Sequence, residues 1–374
     1  MKKVLIFYMV LISSMLLAKF IWPPYLTNQG ETYATINFKT LDENIQVNLY
    51  ENDVLFKSID NLSPGLVHVK FNDLKPATKY YFEVKTNDDY YKGYFYTKDN
   101  TKTLRFIVYG DTRYYDKQHK MIVDKIIEEK PEFVLNVGDL VENGNELRYW
   151  NNFFNIIKGL NAFYYPVLGN HERNSKNYYE AFDLPEGGGD YGKRWYSFSY
   201  GNNHFIILDT TNISTDSDLF YEQTNWMINE FENNKEKNFF VFYHYPFWNN
   251  SSVSWRRQFD KLENAWRPIF EKYNVKLVFN GHIHAYERFE KNGITYITTG
   301  GGGAPFDPGA KKDILPHTKK YVYGVLEYVL VEVSAEKIRV IVKGVGESKD
   351  FDVRKAEKID RMLDYIEIPL NKGY

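Results

Sequence analysis

Cysteine is absent from the 374-residue chain, which excludes disulfide bonds, thiolate nucleophiles and thiolate metal ligands. An excess of one charge is also absent: 47 Lys and Arg residues are balanced by 49 Asp and Glu residues, so no overall basic field attracts nucleic acid or an anionic membrane. The 43% hydrophobic and 26% charged residues are typical of a globular protein and exclude a disordered one. Any metal ion would therefore be held by His, Asp, Glu, Asn or Tyr.

Long apolar runs are absent after residue 18. Before it, two lysines precede an apolar run from Val4 to Ala18 that only two serines interrupt. This run is shorter than the ~20 residues that span a bilayer, and its basic start and small last residue are typical of a secretory signal peptide. We therefore predict a signal peptide at residues 1–18 and an exported protein, either extracellular, periplasmic or at the cell surface. A retained N-terminal anchor and a buried helix are the alternatives, and an uncleaved segment would be the expected membrane contact.

Residues 19–100 carry the pattern of a small all-β sandwich. Short β-rich runs with alternating apolar and polar residues are separated by turn clusters, and no helical period intervenes. The stretch from Leu74 to Phe82, LKPATKYYF, resembles the tyrosine-corner strand of fibronectin type III-like domains, in which a tyrosine hydroxyl bonds to nearby backbone. The predicted strands are TYATINF, IQVNLYE, VLFKSI, GLVHVKF, KYYFEVKT and YYKGYFYT.

Strands and helices alternate from residue 101 to residue 346. Apolar runs such as LRFIVYG and FVLNVG are followed by helix-like stretches of ten or more residues, which is the pattern of βαβ units and of a parallel or mixed sheet. Residues 101–346 are therefore predicted to form one α/β domain. Residues 347–374 are rich in charge and are predicted to form a peripheral C-terminal segment.

Polar residues of metal-ligand type follow five of the predicted strands. Because parallel strands deliver their carboxyl ends to one edge of a sheet, we expect these side chains to converge. The alternative is a set of unrelated Gly-Asp and Gly-Asn turns, which are common singly but improbable five times in this order. The residues are Asp111 after RFIVYG, Asp139 after FVLNVG, Asn170 and His171 after YYPVLG, His244 after FFVFY, and His282 and His284 after LVFNG.

This mixed set of oxygen and nitrogen donors suits Mn, Fe, Zn or Co better than Ca or Mg. It also contains more ligands than one ion usually takes. Two ions that share a carboxylate lie ~3.5–4 Å apart, and such a pair activates water and stabilises an in-line displacement at phosphorus. Asp139 follows a central strand, so it is the predicted bridge between two divalent or trivalent ions.

The order of these motifs resembles the calcineurin-like metallophosphoesterase superfamily. Within it, the stretch Gly281 to Arg288 (GHIHAYER), the Gly-Asn-His-Glu motif at residues 169–172 and the preceding β-sandwich resemble purple acid phosphatases. The resemblance implies an α/β (α+β) fold: a four-layer sandwich of two mixed sheets flanked by helices, preceded by the small all-β sandwich. It implies a two-metal phosphoesterase site in the catalytic domain at residues 101–346.

The resemblance also implies a role for each motif residue. His171 would protonate the leaving oxygen or hold the phosphoryl group, and Asn170 would contact substrate as well as metal. The implied metal ligands are Asp111 and His284 for the first ion, Asn170, His244 and His282 for the second, and Asp139 for both.

Two positions depart from the family pattern. Superfamily members commonly have His two residues after the first Asp, and purple acid phosphatases have Gly there and a ligand Tyr three residues after the bridging Asp. This chain has Arg113 and Glu142 at those positions, so a purple protein is not expected. Glu142 is either a substitute oxygen ligand or an exposed carboxylate at a helix entry, and the first metal site is otherwise weak. Arg113 either binds the substrate phosphate as a bidentate donor or pairs with a nearby carboxylate.

These inferences predict an exported metal-dependent phosphoesterase that acts on a phosphate ester, in first place a phosphomonoesterase of acid-phosphatase type. A metal-bound hydroxide would attack phosphorus, with Asp139 and His171 as the catalytic residues. A phosphodiesterase is the first alternative, because the same metal core serves both reactions. The second is a catalytically weak or inactive surface-binding protein, which Arg113 in the place of a ligand favours.

Overall fold

The computed structural model describes residues 20–211 and 215–370. The predicted signal peptide at residues 1–18 lies outside this part of the chain. Among the described residues, no helix is both long enough and apolar enough to cross a membrane.

The N-terminal region is all-β, as predicted. Its strands follow the alternation of apolar and polar residues: in β6, Tyr80, Phe82 and Val84 are buried, and the residues between them are half-buried. The predicted tyrosine-corner bond is present, because the amide of Lys75 donates to the hydroxyl of Tyr80 at 2.9 Å. The strands are β1 Trp22–Thr27, β2 Ala34–Thr40, β3 Ile45–Glu51, β4 Val54–Leu62, β5 Gly65–Phe71, β6 Lys79–Lys85 and β7 Tyr90–Tyr96.

Strands and helices then alternate, also as predicted. The strands are β8 Leu104–Tyr109, β9 Phe133–Asn136, β10 Phe163–Pro166, β11 Gly187–Gly188, β12 Trp195–Tyr200, β13 Asn203–Ile207, β14 Asn238–Phe242, β15 Leu277–Asn280, β16 Tyr286–Lys291, β17 Ile294–Thr299, β18 Thr318–Val322, β19 Val325–Val333, β20 Lys337–Glu347 and β21 Glu357–Pro369. The helices are α1 Asp116–Glu129, α2 Leu147–Ile156, α3 Lys176–Ala181, α4 Asp218–Asn233 and α5 Asp260–Lys272, with short 3-10 turns at Asp190–Gly192 and Val353–Lys355.

One mixed sheet runs through both parts of the chain. Its strand order is β21-β20-β19-β8-β9-β10-β1-β2-β5, and β8, β9, β10 and β1 are mutually parallel neighbours. Leu26 of β1 lies opposite Phe163 of β10. The change of pattern at residue 100 therefore marks no break in the sheet. β21, from the segment predicted to be peripheral, forms an edge of this sheet.

Two further sheets pack near the first. The order β4-β3-β6-β7 forms a small antiparallel sheet, whose buried side chains share one core with those of β1, β2 and β5. The order β11-β12-β13-β14-β15-β17-β16-β18 forms the second large sheet, with β13, β14, β15 and β17 parallel. Between the two large sheets, Phe106 and Phe133 meet Phe205 edge to face at centroid distances of 5.4 and 5.3 Å.

Helices cover the outer faces of both large sheets. Helices α1 and α2 contact each other, and α1 packs on β19 and β20 while α2 packs on β1. Helices α4 and α5 bury Met227, Phe231, Trp266 and Phe270 in a second core together with Val241 of β14. The predicted four-layer fold of two mixed sheets flanked by helices is confirmed.

Candidate metal centre

The predicted ligands lie at the carboxyl ends of adjacent parallel strands in two facing sheets. Asp111, Asp139 and Asn170 follow β8, β9 and β10 of the nine-stranded sheet, whereas His244 and the pair of histidines at 282 and 284 follow β14 and β15 of the eight-stranded sheet. Three ligands thus approach from each sheet, and the expected convergence occurs across the interface between them.

The first cluster consists of Asp111 and His284. Asp111 Oδ1 lies 3.3 Å from His284 Nε2, and both atoms are buried without a hydrogen-bond partner. The other ring nitrogen of His284 lies 2.5 Å from the carbonyl oxygen of Pro305, which can only accept a hydrogen bond. The proton of the neutral ring is therefore on Nδ1, and the lone pair of Nε2 points at a carboxylate oxygen. A cation between these two acceptors would remove this conflict.

The second cluster is built around His244. Its Nδ1 donates to the carbonyl oxygen of Val137 at 2.8 Å, which leaves Nε2 as the ring nitrogen that faces the cluster. That nitrogen lies 3.1 Å from Asn170 Oδ1 and 3.4 Å from Asp139 Oδ1. The ring of His282 packs beside that of His244 with centroids 5.3 Å apart. These four side chains offer the mixed donors that a transition-metal ion prefers.

Asp139 lies where the two clusters meet. Ligand atoms of Asp111, Asp139 and His244 all lie within 4.8 Å of one another, and all three side chains are buried. This spacing fits ions bound side by side with Asp139 contributing to both, so the residues present suit the two-metal group that the sequence predicts.

The local backbone is shaped to aim these ligands. Asp111, Asp139 and His282 all have positive φ values, of 55°, 56° and 68°, in a region that costs a non-glycine residue about 1–3 kcal/mol. Gly169, before Asn170, allows the closest approach: a Cβ there would lie 2.2 Å from the Asp139 amide nitrogen and 2.4 Å from its Oδ1. The glycine of the Gly-Asn motif is therefore required for close packing against the Asp139 carboxylate.

Arg113 and Glu142 are paired with each other. Arg113 donates from Nη1 to Glu142 Oε2 at 2.7 Å and from Nε to Asp139 Oδ2 at 3.2 Å, and its side chain is 12% exposed. Of the two readings of Arg113, the structure shows the pairing with nearby carboxylates. The side chain of Glu142 is 27% exposed and is ion-paired with the Arg113 guanidinium, so its role as a metal ligand stays a prediction.

His171 stands at the mouth of the cluster. Its amide donates to Asp139 Oδ1 at 2.9 Å, and its Nδ1 donates to the Glu142 carbonyl oxygen at 2.8 Å. Its Nε2 lies 3.9 Å from Asp139 Oδ2. The backbone contacts fix the ring with Nε2 directed at the centre.

Burial and charge shift the pKa values of these groups in opposite directions. Burial, together with the charge of Asp139, raises the pKa of Asp111 to about 7. Burial acts the same way on Asp139, but the charges of His244, Arg113 and His171 outweigh it and hold its pKa below the usual range. Burial lowers the pKa of His284 to about 3 and keeps the ring neutral, the form that binds metal.

Sequence reasoning gave no role to Glu172, the last residue of the Gly-Asn-His-Glu motif. Its buried carboxylate accepts four backbone N–H groups: Oε2 from Gly169 and Asp139, and Oε1 from Leu140 and Val141. Burial and then the charge of Asp139 raise its pKa, whereas the four donors favour its ionised form. Glu172 joins the loop after β9 to the loop after β10. Its position directly after two predicted site residues was the one sequence feature that could have indicated a supporting role.

A second unassigned group supports the other side of the centre. Arg256 donates from Nη2 to Asp307 Oδ1 at 3.0 Å, and the hydroxyl of Ser251 donates to the other oxygen of Asp307 at 2.6 Å. The amide of Asp307 donates to the carbonyl oxygen of His284 at 3.3 Å. This network fixes the loop that carries His284. No pattern in the sequence predicts these contacts.

Comparison with known proteins agrees with this geometry. Residues 104–286 match the model of the calcineurin-like phosphoesterase family. Purple acid phosphatase 21 of Arabidopsis thaliana is 26% identical over 259 residues, which are 63% of this chain and 58% of that protein. The purple acid phosphatase of Glycine max is 25% identical over 271 residues, 66% of this chain and 58% of that protein. The chain thus spans under two thirds of the length of these relatives.

Two solved structures share the fold over most of the chain. The purple acid phosphatase PPD1 from yellow lupin (Lupinus luteus) seeds superposes with a TM-score of 0.71 at 16% identity, covering 92% of this chain and 74% of that one. PhoD superposes with a TM-score of 0.70 at 14% identity, covering 94% and 92%. The resemblance that the motifs indicated is confirmed: residues 104–286 form a calcineurin-like phosphoesterase domain.

Proposed function

We propose that this protein is an exported, metal-dependent phosphoesterase that hydrolyses phosphomonoesters. The observation that carries the proposal is the buried pair of Asp111 Oδ1 and His284 Nε2, which lie 3.3 Å apart and have no hydrogen-bond partner. A cation between them would relieve this conflict, and Asp139, Asn170 and His244 offer further donors beside it. The choice of a monoester is supported by the names of the matching relatives, which are phosphatases.

The residues of the centre would have different roles in hydrolysis. Bound ions would lower the pKa of water and polarise the phosphoryl oxygens. Asp139 holds the two clusters together, and the ring of His171 presents Nε2 to the substrate while its Nδ1 is held by the Glu142 carbonyl. We assign to His171 the proton that goes to the leaving oxygen, and to Asn170 a contact with the phosphoryl group beside its ligand role.

Metal content and turnover on one sample test the proposal. The purified chain is analysed for bound metal and assayed with p-nitrophenyl phosphate and bis-p-nitrophenyl phosphate, with and without added Mn²⁺. We expect about two metal ions for each chain, turnover of the monoester, and loss of both in Asp139→Ala. Asp209→Asn is the matched control, because Asp209 is another buried carboxylate after a strand but bonds to Arg194 and Thr211. It should retain both properties.

The outcomes separate the alternatives. Preference for the bis ester would assign a phosphodiesterase to the same centre. Metal binding without turnover of either ester would favour the surface-binding protein, and absence of metal would refute the proposal.

His171 is tested through the leaving group. A residue that protonates the leaving oxygen contributes about 10²–10⁴-fold to the rate for a poor leaving group and far less for a good one. His171→Asn should therefore slow phenyl phosphate hydrolysis much more than 2,4-dinitrophenyl phosphate hydrolysis. Equal losses on both substrates would instead assign His171 to phosphoryl binding.

Export is proposed from residues 1–18 alone. Expression of the full chain with a C-terminal tag, followed by N-terminal sequencing of the secreted protein, should give a mature start at Lys19. An intact N-terminus on membrane-bound protein would indicate the retained anchor.

A further inference from the structure

Arg113 stands two residues after Asp111, where its guanidinium contacts the bridging carboxylate directly. Its Nε lies 3.2 Å from Asp139 Oδ2 and its Nη1 lies 2.7 Å from Glu142 Oε2. The side chain is 12% exposed, so both contacts are made in a largely desolvated space, where charge interactions are strong. An always-protonated group therefore holds one oxygen of the residue that the two metal subsites share.

This contact makes the two subsites unequal in donors. The second subsite has three side chains of its own, Asn170, His244 and His282, besides Asp139. The first subsite has two of its own, Asp111 and His284. Glu142, the further oxygen donor that the sequence suggests for this side, is already bound by Arg113 at 2.7 Å.

The contact also makes the subsites unequal in charge. The positive charge of the Arg113 guanidinium acts electrostatically on Asp111 and His284, the two residues that belong to the first subsite. A metal ion placed between them would be repelled by that charge. The direct contact of the arginine is with Asp139 Oδ2, whereas Asp139 Oδ1 faces His244 of the second subsite.

We propose that Arg113 makes the first metal subsite the weaker of the two, so that an ion at Asn170, His244 and His282 binds first and an ion at Asp111 and His284 binds second. This inference rests on the proposed metal-dependent function. Changing even the groups that orient metal ligands typically alters metal affinity by about 10–100-fold. Loss of a ligand position to a cation should therefore separate the two dissociation constants by at least about tenfold.

The wild-type measurement is a Mn²⁺ titration of the full metal-free chain, followed by calorimetry and by electron paramagnetic resonance. We expect two dissociation constants that differ by at least about tenfold. The first equivalent should give the spectrum of an isolated Mn²⁺ ion, and the second should convert it to that of an exchange-coupled pair. His284→Gln should abolish the weaker event and leave the stronger one, whereas Asn170→Ala should weaken the stronger one.

Variants of Arg113 test the cause. Arg113→His replaces the guanidinium by a neutral imidazole and should tighten the weaker constant about tenfold or more. Arg113→Gln removes the charge without adding an imidazole, so it should tighten the constant by a smaller factor. Arg194→Gln is the matched control, because Arg194 is also buried against two carboxylates, Asp209 at 2.6 Å and Asp190 at 2.8 Å. It should leave both constants unchanged.

Three results would overturn the inference: equal constants in the wild type, loss of the stronger event in His284→Gln, or an unchanged weaker constant in folded Arg113→His and Arg113→Gln. Circular dichroism checks the folding of each variant, and the wild-type constants test the inequality even if a variant does not fold. A chain that binds no Mn²⁺ at all would refute the proposed function instead, so the two failures are distinguishable.

Discussion

Glu172 tests how the loop after β9, which carries Asp139, is held in place, because the Glu172 carboxylate is surrounded by backbone N–H donors. Oε1 accepts amides at 2.8 and 3.2 Å and Oε2 accepts amides at 2.8 and 2.9 Å. In Glu172→Gln, either orientation of the amide places an NH₂ group against two backbone N–H groups. Two buried donors then lose their partner at about 1–3 kcal/mol each, so the free energy of unfolding should fall by about 2–6 kcal/mol.

The matched control is Glu287→Gln. Glu287 is equally buried, but its Oε1 accepts both of its hydrogen bonds, from the Asn250 amide and the Tyr323 hydroxyl, and its Oε2 has no partner. A glutamine can therefore keep both bonds and place its NH₂ at the unpartnered position, so we expect a loss of less than about 1 kcal/mol.

Urea unfolding of the metal-free proteins at about pH 9 makes the comparison. Burial raises the pKa of Glu172 to about 8 and that of Glu287 to about 7, so both carboxylates are ionised there. Equal losses in the two variants, or a Glu172→Gln loss below about 1 kcal/mol, would refute the argument from donor counting.

Three further predictions concern other parts of the molecule. Burial lowers the pKa of His119 from 6.5 to about 3, so between these values the unfolded chain binds a proton that the native chain does not. Stability should fall as the pH falls through this window, and His119→Asn should lessen the slope by up to about 1.4 kcal/mol per pH unit in acid-dependent urea unfolding. Gly169→Ala should cost at least about 1–3 kcal/mol and weaken Mn²⁺ binding in calorimetry, because its Cβ would lie 2.2 Å from the Asp139 amide nitrogen. Tyr80→Phe, which loses the bond from Lys75, should cost about 1 kcal/mol in thermal unfolding and leave Mn²⁺ binding unchanged.

The regular elements could be predicted where the hydrophobic period was clear. Six strands of the N-terminal region were predicted at nearly their observed positions. Helix-like periods in KQHKMIVDKIIEEK, NELRYWNNFFNIIKGL and DLFYEQTNWMINEFENN likewise match α1, α2 and α4, and one near residues 260–273 matches α5. Strand β1 was missed because Pro23 and Pro24 argue against a strand, since proline gives no N–H to a ladder. The structure accommodates them with a register shift between Trp22 and Tyr25. Helix α3 was missed because six residues are too few to show a helical period.

The fate of Arg113 could not be predicted from its position. The sequence places an arginine two residues after Asp111 but does not say which partner its guanidinium contacts. That choice depends on the turn after β9, where Glu142 and Asp139 both come within 3.2 Å of the guanidinium. A substrate-binding arginine and a carboxylate-paired arginine look the same in a sequence, and only the distances in the structure distinguish them.

Backbone amides hold the clustered carboxylates at the centre in place. Asp111, Asp139 and Glu172 place three carboxylates in buried space, and the first two have backbone conformations that each cost about 1–3 kcal/mol. The amide of His282 donates to Asp111, and the amide of His171 donates to Asp139. The fold therefore bears the electrostatic and conformational cost of placing these carboxylates together. Because metal ions bind the native cluster far better than the unfolded chain, each ion should return stability to the fold, by about 2.7 kcal/mol at a hundredfold excess over its dissociation constant.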